Sequence, residues 1–318
     1  MKTFAILAMA CASLMFGLTR PAHADEVAQR VVASLTDWAN ARGIETAQIA
    51  VSYQGEVRAE EAIGGPVVPV DIASLSKAIT AACVQELVKR DLLDWDDRVR
   101  LYLPDVARPL SKVRLTDLVT HTAGIAPDGT QGRMRNWRGP GDPVHGNILL
   151  EVESRALQSP TYFYNNENYA ILAALIEGAS GRPYAEVCTE FVLTPIGATT
   201  ARPSANYGQF AAWGGWEMTM GDYTRLMWAR FGGTDPETLP HVSIGNGVHY
   251  GLGMVWRHWN GGQNHWHFGA LCFEDTPGMF SFGVLFKNGW SAAIRVDQCP
   301  QDDWFLSVDQ AIYTAVFR

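Results

Sequence analysis

The sequence predicts an α+β protein: an antiparallel sheet flanked by helices, built from both ends of the chain, with a helical subdomain inserted between. Strand-like runs come first, at 49–64. Helix-like runs fill the middle. Two aromatic-rich strand-like runs, HWHFGALCF and FSFGVLFKN, then return shortly before a closing helical stretch. With both ends of the chain feeding one layer, the 318 residues read as one domain over 25–318. Its α/β part spans about 25–78 and 205–318, and its helical part about 79–204.

Residues 1–24 read as an export leader. Lys2 gives a positive start, FAILAMACASLMFGL an apolar run of 15 residues, and AHA a small-x-small cleavage site before Asp25. Fifteen apolar residues are short for a membrane span, and no later segment is long and apolar enough for one. The expected location is therefore exported, periplasmic or secreted, in a bacterium, with no stable span after cleavage. Without the leader, 23 basic side chains face 33 acidic ones. That net charge near −10 disfavours nucleic acid or an anionic membrane as a partner. Four cysteines remain, Cys83, Cys188, Cys272 and Cys299. No CxxC pair suggests a zinc ribbon, and an oxidising compartment permits disulfides in any of three full pairings. Cys83 and Cys188 lie in helix-like runs and fit burial as free thiols equally well.

IAVSY (49–53) and EVRAEEAIG (56–64), split by Gln-Gly, read as a hairpin. LSKAITAACVQELVKR reads as a helix, apolar enough at its start to be buried. Leu118 to Thr122 and Tyr169 to Glu177 read as further helices, with Gly124 and Gly178 as stops. Residues 126–147, rich in Gly, Pro, Asp and Arg, read as a long surface loop, and such loops are often functional. Thr219, with Asp222 three residues on, fits a capped start to a helix over Asp222–Arg230. DDWFLSVDQAIYTAVF closes the chain as a helix.

One position in this layout is unexpected. Lys77 is the only charged residue between Asp71 and Glu86, in a chain that keeps four lysines after the leader. Three residues before it stands Ser74. S-x-x-K on a helix puts both side chains on one face, one turn apart. A serine hydroxyl is a weak nucleophile until a base takes its proton. Lysine serves as that base only when neutral, and moving its pKa from about 10.4 to 7 takes roughly 4–5 kcal/mol. A helix N-terminus contributes about 0.3–1 kcal/mol of this, so desolvation by the apolar helix start must supply most of it. A surface serine, with a lysine stem lying along an apolar patch, explains the motif alone equally simply. The motif needs partners.

The partners follow in order. IASLSKAITAACVQELVKRDLLDWDDRVRLYLP, LTDLVTHTAGI, YNNENYAILAALIE, TPIG, GGWEMTMGDYTRLM, YGLGMVW and HFG run from about 49 to 290. Together they resemble the serine β-lactamase-related family: class C-like β-lactamases, low-molecular-weight DD-peptidases, and family VIII-type esterases and amidases on the same frame. The resemblance implies a β-lactamase/transpeptidase-like fold with Ser74 as the acylated nucleophile. Tyr164, in the single Y-x-N of the chain, is then the partner of Lys77 in base catalysis. Asn166 binds substrate or orients Lys77. A phenol beside an ammonium is expected to shift toward phenolate while the lysine stays charged, and the two titrate as a pair.

The third family motif falls on His267-Phe268-Gly269, because the other H-x-G, His249-Tyr250-Gly251, fills the YGLG slot. His267 is implied as substrate-binding. Gly269 is expected to let substrate lie against the strand. The resemblance places the oxyanion hole at the backbone N–H groups of Ser74 and Ala270. Here the pattern departs from the β-lactamases. Phe268 stands where a threonine hydroxyl helps hold a substrate carboxylate, and His267 replaces a permanent cation. Both leave room for uncharged esters or amides.

His265 and His267 form H-x-H, but two histidines without a third ligand are weak grounds for a metal, and none is expected. His121 reads as structural. Trp137, Trp213, Trp216 and Trp256 could line an aromatic cleft, though packing explains any one of them. G-x-S-x-G is absent, which argues against an α/β-hydrolase. No glycine-rich nucleotide motif follows a strand, so no cofactor is inferred. The expectation is an exported serine hydrolase acting on a small ester, amide or peptide through an acyl-enzyme. Its rivals are a D-alanyl-D-alanine carboxypeptidase or β-lactamase, and a non-hydrolytic penicillin-binding-like sensor.

Overall fold

A computed structural model describes residues 20–259 and 261–318. Most of the expected leader, residues 1–19, lies outside the described residues, and the expected cleavage junction at Ala24–Asp25 falls in the first turns of a helix, α1 (Arg20–Asn40). The hairpin follows as β1 (Ala47–Tyr53) and β2 (Glu56–Ile63), and then a two-residue strand, β3 (Val70–Asp71). A 3-10 turn over Ala73–Leu75 leads directly into α2 (Ser76–Lys89). The helical middle comprises α3 (Leu115–Val119), α4 (His145–Glu153), α5 (Asn166–Ser180) and α6 (Tyr184–Cys188). Of the short strands β4 (Arg202–Pro203) and β5 (Trp216–Met218), β5 is central and pairs with both β3 and β4 in a small second sheet. After α7 (Met220–Phe231) come β6 (Val242–Gly245), β7 (Val248–Gly251), β8 (Met254–Trp259), β9 (Gly262–Leu271), β10 (Met279–Leu285) and β11 (Trp290–Val296), then α8 (Trp304–Val316).

The main sheet has eight strands in the order β2-β1-β11-β10-β9-β8-β7-β6. Every pairing is antiparallel. Strands from both ends of the chain meet where β1 pairs with β11, Ala50 opposite Ala293. β10 and β11 are buried along their whole length. Alternation along the strands explains why both faces are covered. Phe280, Phe282 and Val284 pack with Val31, Leu35, Val308 and Ile312 of α1 and α8. Met279, Leu285 and Ala293 face the larger core formed with α2, α5 and α7. At about 25 cal/mol per Å² of apolar surface, these two cores hold the sheet between its helical layers.

Several boundaries differ from the sequence expectation, each for a local reason. α1 was not anticipated, although Val27, Val31, Leu35 and Trp38 repeat at helical spacing and are buried. The α3 helix spans Leu115–Val119 rather than Leu118–Thr122, because His121 takes a left-handed φ of 57°. Gly178 does not stop α5. A Cβ there would lie 2.6 Å from the carbonyl oxygen of Tyr102, so the glycine admits a crossing segment, and Gly181, at φ 67°, ends the helix. The loop expected over 126–147 contains a 3-10 turn at Met134–Trp137 and reaches α4 at His145. The Thr219 cap is present, its side chain accepting from the Asp222 N–H. Cys272 and Cys299 form a disulfide, while Cys83 and Cys188 are buried free thiols. Trp213, Trp216 and Trp256 are buried packing residues.

Candidate active site

The 3-10 turn before α2 delivers Ser74. Ala73, just ahead of it, holds a left-handed φ of 49° without being glycine, a strained conformation of the kind that clusters at functional sites. Ser74 is half-buried, whereas Lys77, one turn later, has no exposed surface. Lys77 Nζ lies 3.2 Å from Ser74 Oγ, 2.8 Å from Asn166 Oδ1 and 2.9 Å from the Trp213 carbonyl oxygen. Burial pulls its pKa from 10.5 to about 7, against a smaller upward pull from Asp128. Two of the three neighbours of Nζ only accept. A neutral amine has two N–H groups for these two oxygens, so its lone pair is left facing the Ser74 hydroxyl.

Tyr164 comes from the segment before α5. Its ring lies 4.8 Å from Lys77 Nζ, and the Ser74 side chain is among the groups acting on its hydroxyl. The expected drift toward phenolate does not occur. Burial, reinforced by the neighbouring Tyr169, Tyr162 and Asp128, raises the Tyr164 pKa, and the Ser74 side chain offsets only part of this. For Lys77 too desolvation outweighs pairing, so near pH 7 the amine is divided between its charged and neutral forms. Tyr164 is therefore a phenol at neutral pH.

The Y-N-N stretch is held by its own sequence. Asn165 caps α5, its oxygen accepting from Glu167 N at 2.7 Å and its amide donating to Ile125 O at 2.9 Å. Buried Glu167 accepts from Arg155 at 2.5 Å. His121 anchors the other side, as its structural reading anticipated. Its Nδ1 accepts from Asn165 N at 3.3 Å and from Asn168 Nδ2 at 3.1 Å, which places its proton on Nε2, 3.1 Å from Tyr250 Oη.

Asn166 is ordered by two residues that sequence reasoning missed. Its Nδ2 donates to Thr130 Oγ1 at 2.9 Å, and its backbone N–H donates to Asp128 Oδ2 at 3.1 Å. Thr130 in turn donates its hydroxyl to Asp128 Oδ1 at 2.7 Å. Nothing in a loop with several Gly, Pro, Asp and Arg residues singles out Asp128. The Trp213 contact was equally hidden, since it is made by a backbone oxygen.

β9 closes the site. His267 is buried, with its ring 5.9 Å from that of Tyr164, and its Nδ1–H donates to Phe268 O at 2.6 Å. Burial, with Lys77 nearby, lowers its pKa to about 3, so it carries no charge at neutral pH. Phe268 points the other way along the pleat and rests on Phe305 of α8, 5.1 Å between ring centres.

Gly269 comes next on the same strand. A Cβ there would lie 2.6 Å from Ser74 N and 2.8 Å from Ala73 Cβ. The glycine lets the strand approach the nucleophile turn. Gly269→Ala is expected to lower stability by about 2 kcal/mol, as other overpacking changes do. It should also slow any Ser74-dependent reaction. Urea denaturation and probe labelling measure the two effects, and an alanine variant of native stability and rate would contradict the close approach. Ala270 follows as the next residue of β9, opposite Phe280. His265 shares the His267 face and stacks on Phe231. Among the described residues, no three His, Cys, Asp or Glu side chains are placed to hold a metal ion.

The sequence matches the family described as Beta-lactamase over residues 24–298. Penicillin-binding protein 4* of Bacillus subtilis (strain 168) is 30% identical over 137 residues, covering 42% of this chain and 30% of that protein. The D-alanyl-D-alanine-carboxypeptidase/endopeptidase AmpH of Escherichia coli (strain K12) is 27% identical over 145 residues, covering 42% and 37%. The chain thus spans about a third of the length of these curated relatives. Among solved structures, a D-stereospecific amidohydrolase from Streptomyces sp. superposes with a TM-score of 0.72 at 20% identity, covering 93% of this chain and 98% of that one. The octameric penicillin-binding protein homologue from Pyrococcus abyssi gives 0.72 at 17% identity, covering 90% and 77%. At these identities the superpositions establish the fold: a β-lactamase/transpeptidase-like antiparallel sheet with flanking helices.

Proposed function

The chain belongs to the beta-lactamase family, and from that premise we propose that it is an exported serine hydrolase that cleaves a small ester or amide through an acyl-enzyme on Ser74. The observation that carries this reading is the Lys77 amine, buried, brought to about 7 and 3.2 Å from Ser74 Oγ. Ser74 Oγ attacks the substrate carbonyl while its proton passes to Lys77 Nζ. The N–H groups of Ser74 and Ala270 hold the resulting oxyanion. Tyr164, a phenol, donates its proton to the departing alcohol or amine and is reprotonated from Lys77. Water then attacks the acyl-serine, giving its proton to the neutral Lys77 amine, which passes it to Ser74 Oγ as the acid departs. The neutral His267 and the turned-away Phe268 leave the third motif without fixed charge or hydroxyl, which supports an uncharged substrate end. The names of the relatives and of the amidohydrolase neighbour point to amide or peptide chemistry as the other arm. The Cys272–Cys299 disulfide supports an oxidising compartment.

The test uses wild type and Ser74→Ala with a fluorophosphonate, a fluorescent penicillin and a p-nitrophenyl ester. Serine-dependent ester turnover without stable penicillin labelling is the expected result. Stable penicillin labelling without turnover would move the protein to the penicillin-binding sensor class. Identical behaviour of the two proteins with every probe would end the acyl-enzyme reading.

A further inference from the structure

Lys77 is fixed by a chain of hydrogen bonds that starts outside the family motifs. Thr130 has one hydroxyl proton, and Asp128 takes it at 2.7 Å. The oxygen of Thr130 can then only accept, and it accepts from Asn166 Nδ2 at 2.9 Å. With its NH2 group committed there, Asn166 must turn its oxygen to Lys77 Nζ, 2.8 Å away. Asp128 also receives the Asn166 backbone N–H, the Thr130 N–H at 2.9 Å and Gln131 Nε2 at 3.2 Å. The carboxylate thus locks one end of a relay whose other end is the amine.

We propose that Asp128 is a positioning residue for the acyl-transfer reaction: through Thr130 it selects the amide orientation of Asn166 that orients Lys77, and its negative charge balances the Lys77 ammonium formed when Ser74 gives up its proton. The inference rests on the reading of Lys77 as the base of Ser74. The other groups facing Nζ are Tyr164, Tyr169, whose ring lies 5.8 Å away, His121 and His267. Burial raises both phenols and lowers both imidazoles, so at neutral pH none of these four carries a charge. Among the described residues, Asp128 is the one acidic group acting on Lys77, and it acts to raise its pKa. Without it, a reversed Asn166 amide would present N–H to N–H, and the developing ammonium would form with no countercharge nearby.

Two readouts test this in the full-length protein. The first is the titration of Lys77, observed by 13C-labelled lysine, with Lys77→Met used to assign the signal. Asp128→Asn is expected to move the Lys77 midpoint downward by about 0.5 unit, because an attracting charge is lost. Thr130→Val should leave that midpoint within about 0.2 unit, since no charge changes. The second readout is the plateau of kcat/KM for p-nitrophenyl acetate. Asp128→Asn should lower it about 30-fold and Thr130→Val about tenfold, the range for losing charged and neutral hydrogen bonds. Thr130→Ser should recover most of the Thr130→Val loss. An unchanged Lys77 midpoint in Asp128→Asn, or a Thr130→Ser variant as slow as Thr130→Val, would overturn the proposal. If the midpoint moves as expected but wild type hydrolyses no ester, the electrostatic link stands and the acyl-transfer reading falls.

Discussion

Arginine in place of Lys77 is expected to lower kcat/KM for a p-nitrophenyl ester by about 10³-fold or more, the upper part of the range for general-base catalysis. The reason lies in desolvation. Lys77 is wholly buried, and burial brings its pKa down to about 7, so about half of it is free base at neutral pH. A guanidinium keeps its proton under the same conditions, since its pKa lies above about 12. Its planar fork also mismatches the single point at which Ser74 Oγ, Asn166 Oδ1 and Trp213 O converge. The wild-type profile should therefore rise with pH through about 7 and flatten above it.

The same shift has a stability consequence of definite sign. Between about 7 and the unfolded-chain value of about 10.4, the unfolded state binds more protons than the native one. The native state is therefore disfavoured by the buried amine below about 7, and the penalty is relieved as pH rises through that window. Lys77→Met should consequently be inactive and yet more stable than wild type at neutral pH, by about 1–3 kcal/mol. Urea melts at pH 7 measure this. A methionine variant that is less stable than wild type would mean that the amine is not held at a cost.

Tyr164→Phe is expected to divide substrates. For alkyl esters and amides, whose leaving groups need a proton, kcat/KM should fall about 10²-fold. For p-nitrophenyl esters, whose leaving group departs as a stable anion, the loss should stay under about tenfold. This contrast follows from the raised Tyr164 pKa, which makes the side chain a proton donor and not a phenolate base. Comparing an ethyl with a p-nitrophenyl ester of one acid on both proteins measures it. An equal loss on the two esters would instead place Tyr164 in the activation of Ser74.

Much of this architecture was legible from residue spacing. The hairpin, the buried helix after Ser74, the capped start of α7 and the paired aromatic strands each follow from a local pattern, and each lies where its pattern put it. α1 was legible as well, since Val27, Val31, Leu35 and Trp38 mark one helical face directly after the leader-like start. The site divides differently. The meeting of Ser74, Lys77, Tyr164 and Asn166 was anticipated from motifs, because those side chains are distinctive in type and spacing. The carbonyl of Trp213 has no side-chain signature, and Asp128 resembles any other aspartate in its loop. The direction of the Tyr164 shift required burial and distance together, which residue order does not supply. Gly269 shows a further limit: a glycine marks a close approach, but only the fold shows that the approaching group is the Ser74 turn.

In the proposed reaction Ser74 carries the acyl group with Lys77 as its base. Rapid-quench intact-mass analysis during turnover of a p-nitrophenyl ester, followed by peptide mapping, tests it most directly. An acyl adduct is expected on the peptide containing Ser74 in wild type, forming faster as pH rises through about 7. No adduct is expected in Ser74→Ala. Turnover with no adduct on that peptide, or an adduct retained in Ser74→Ala, would contradict it.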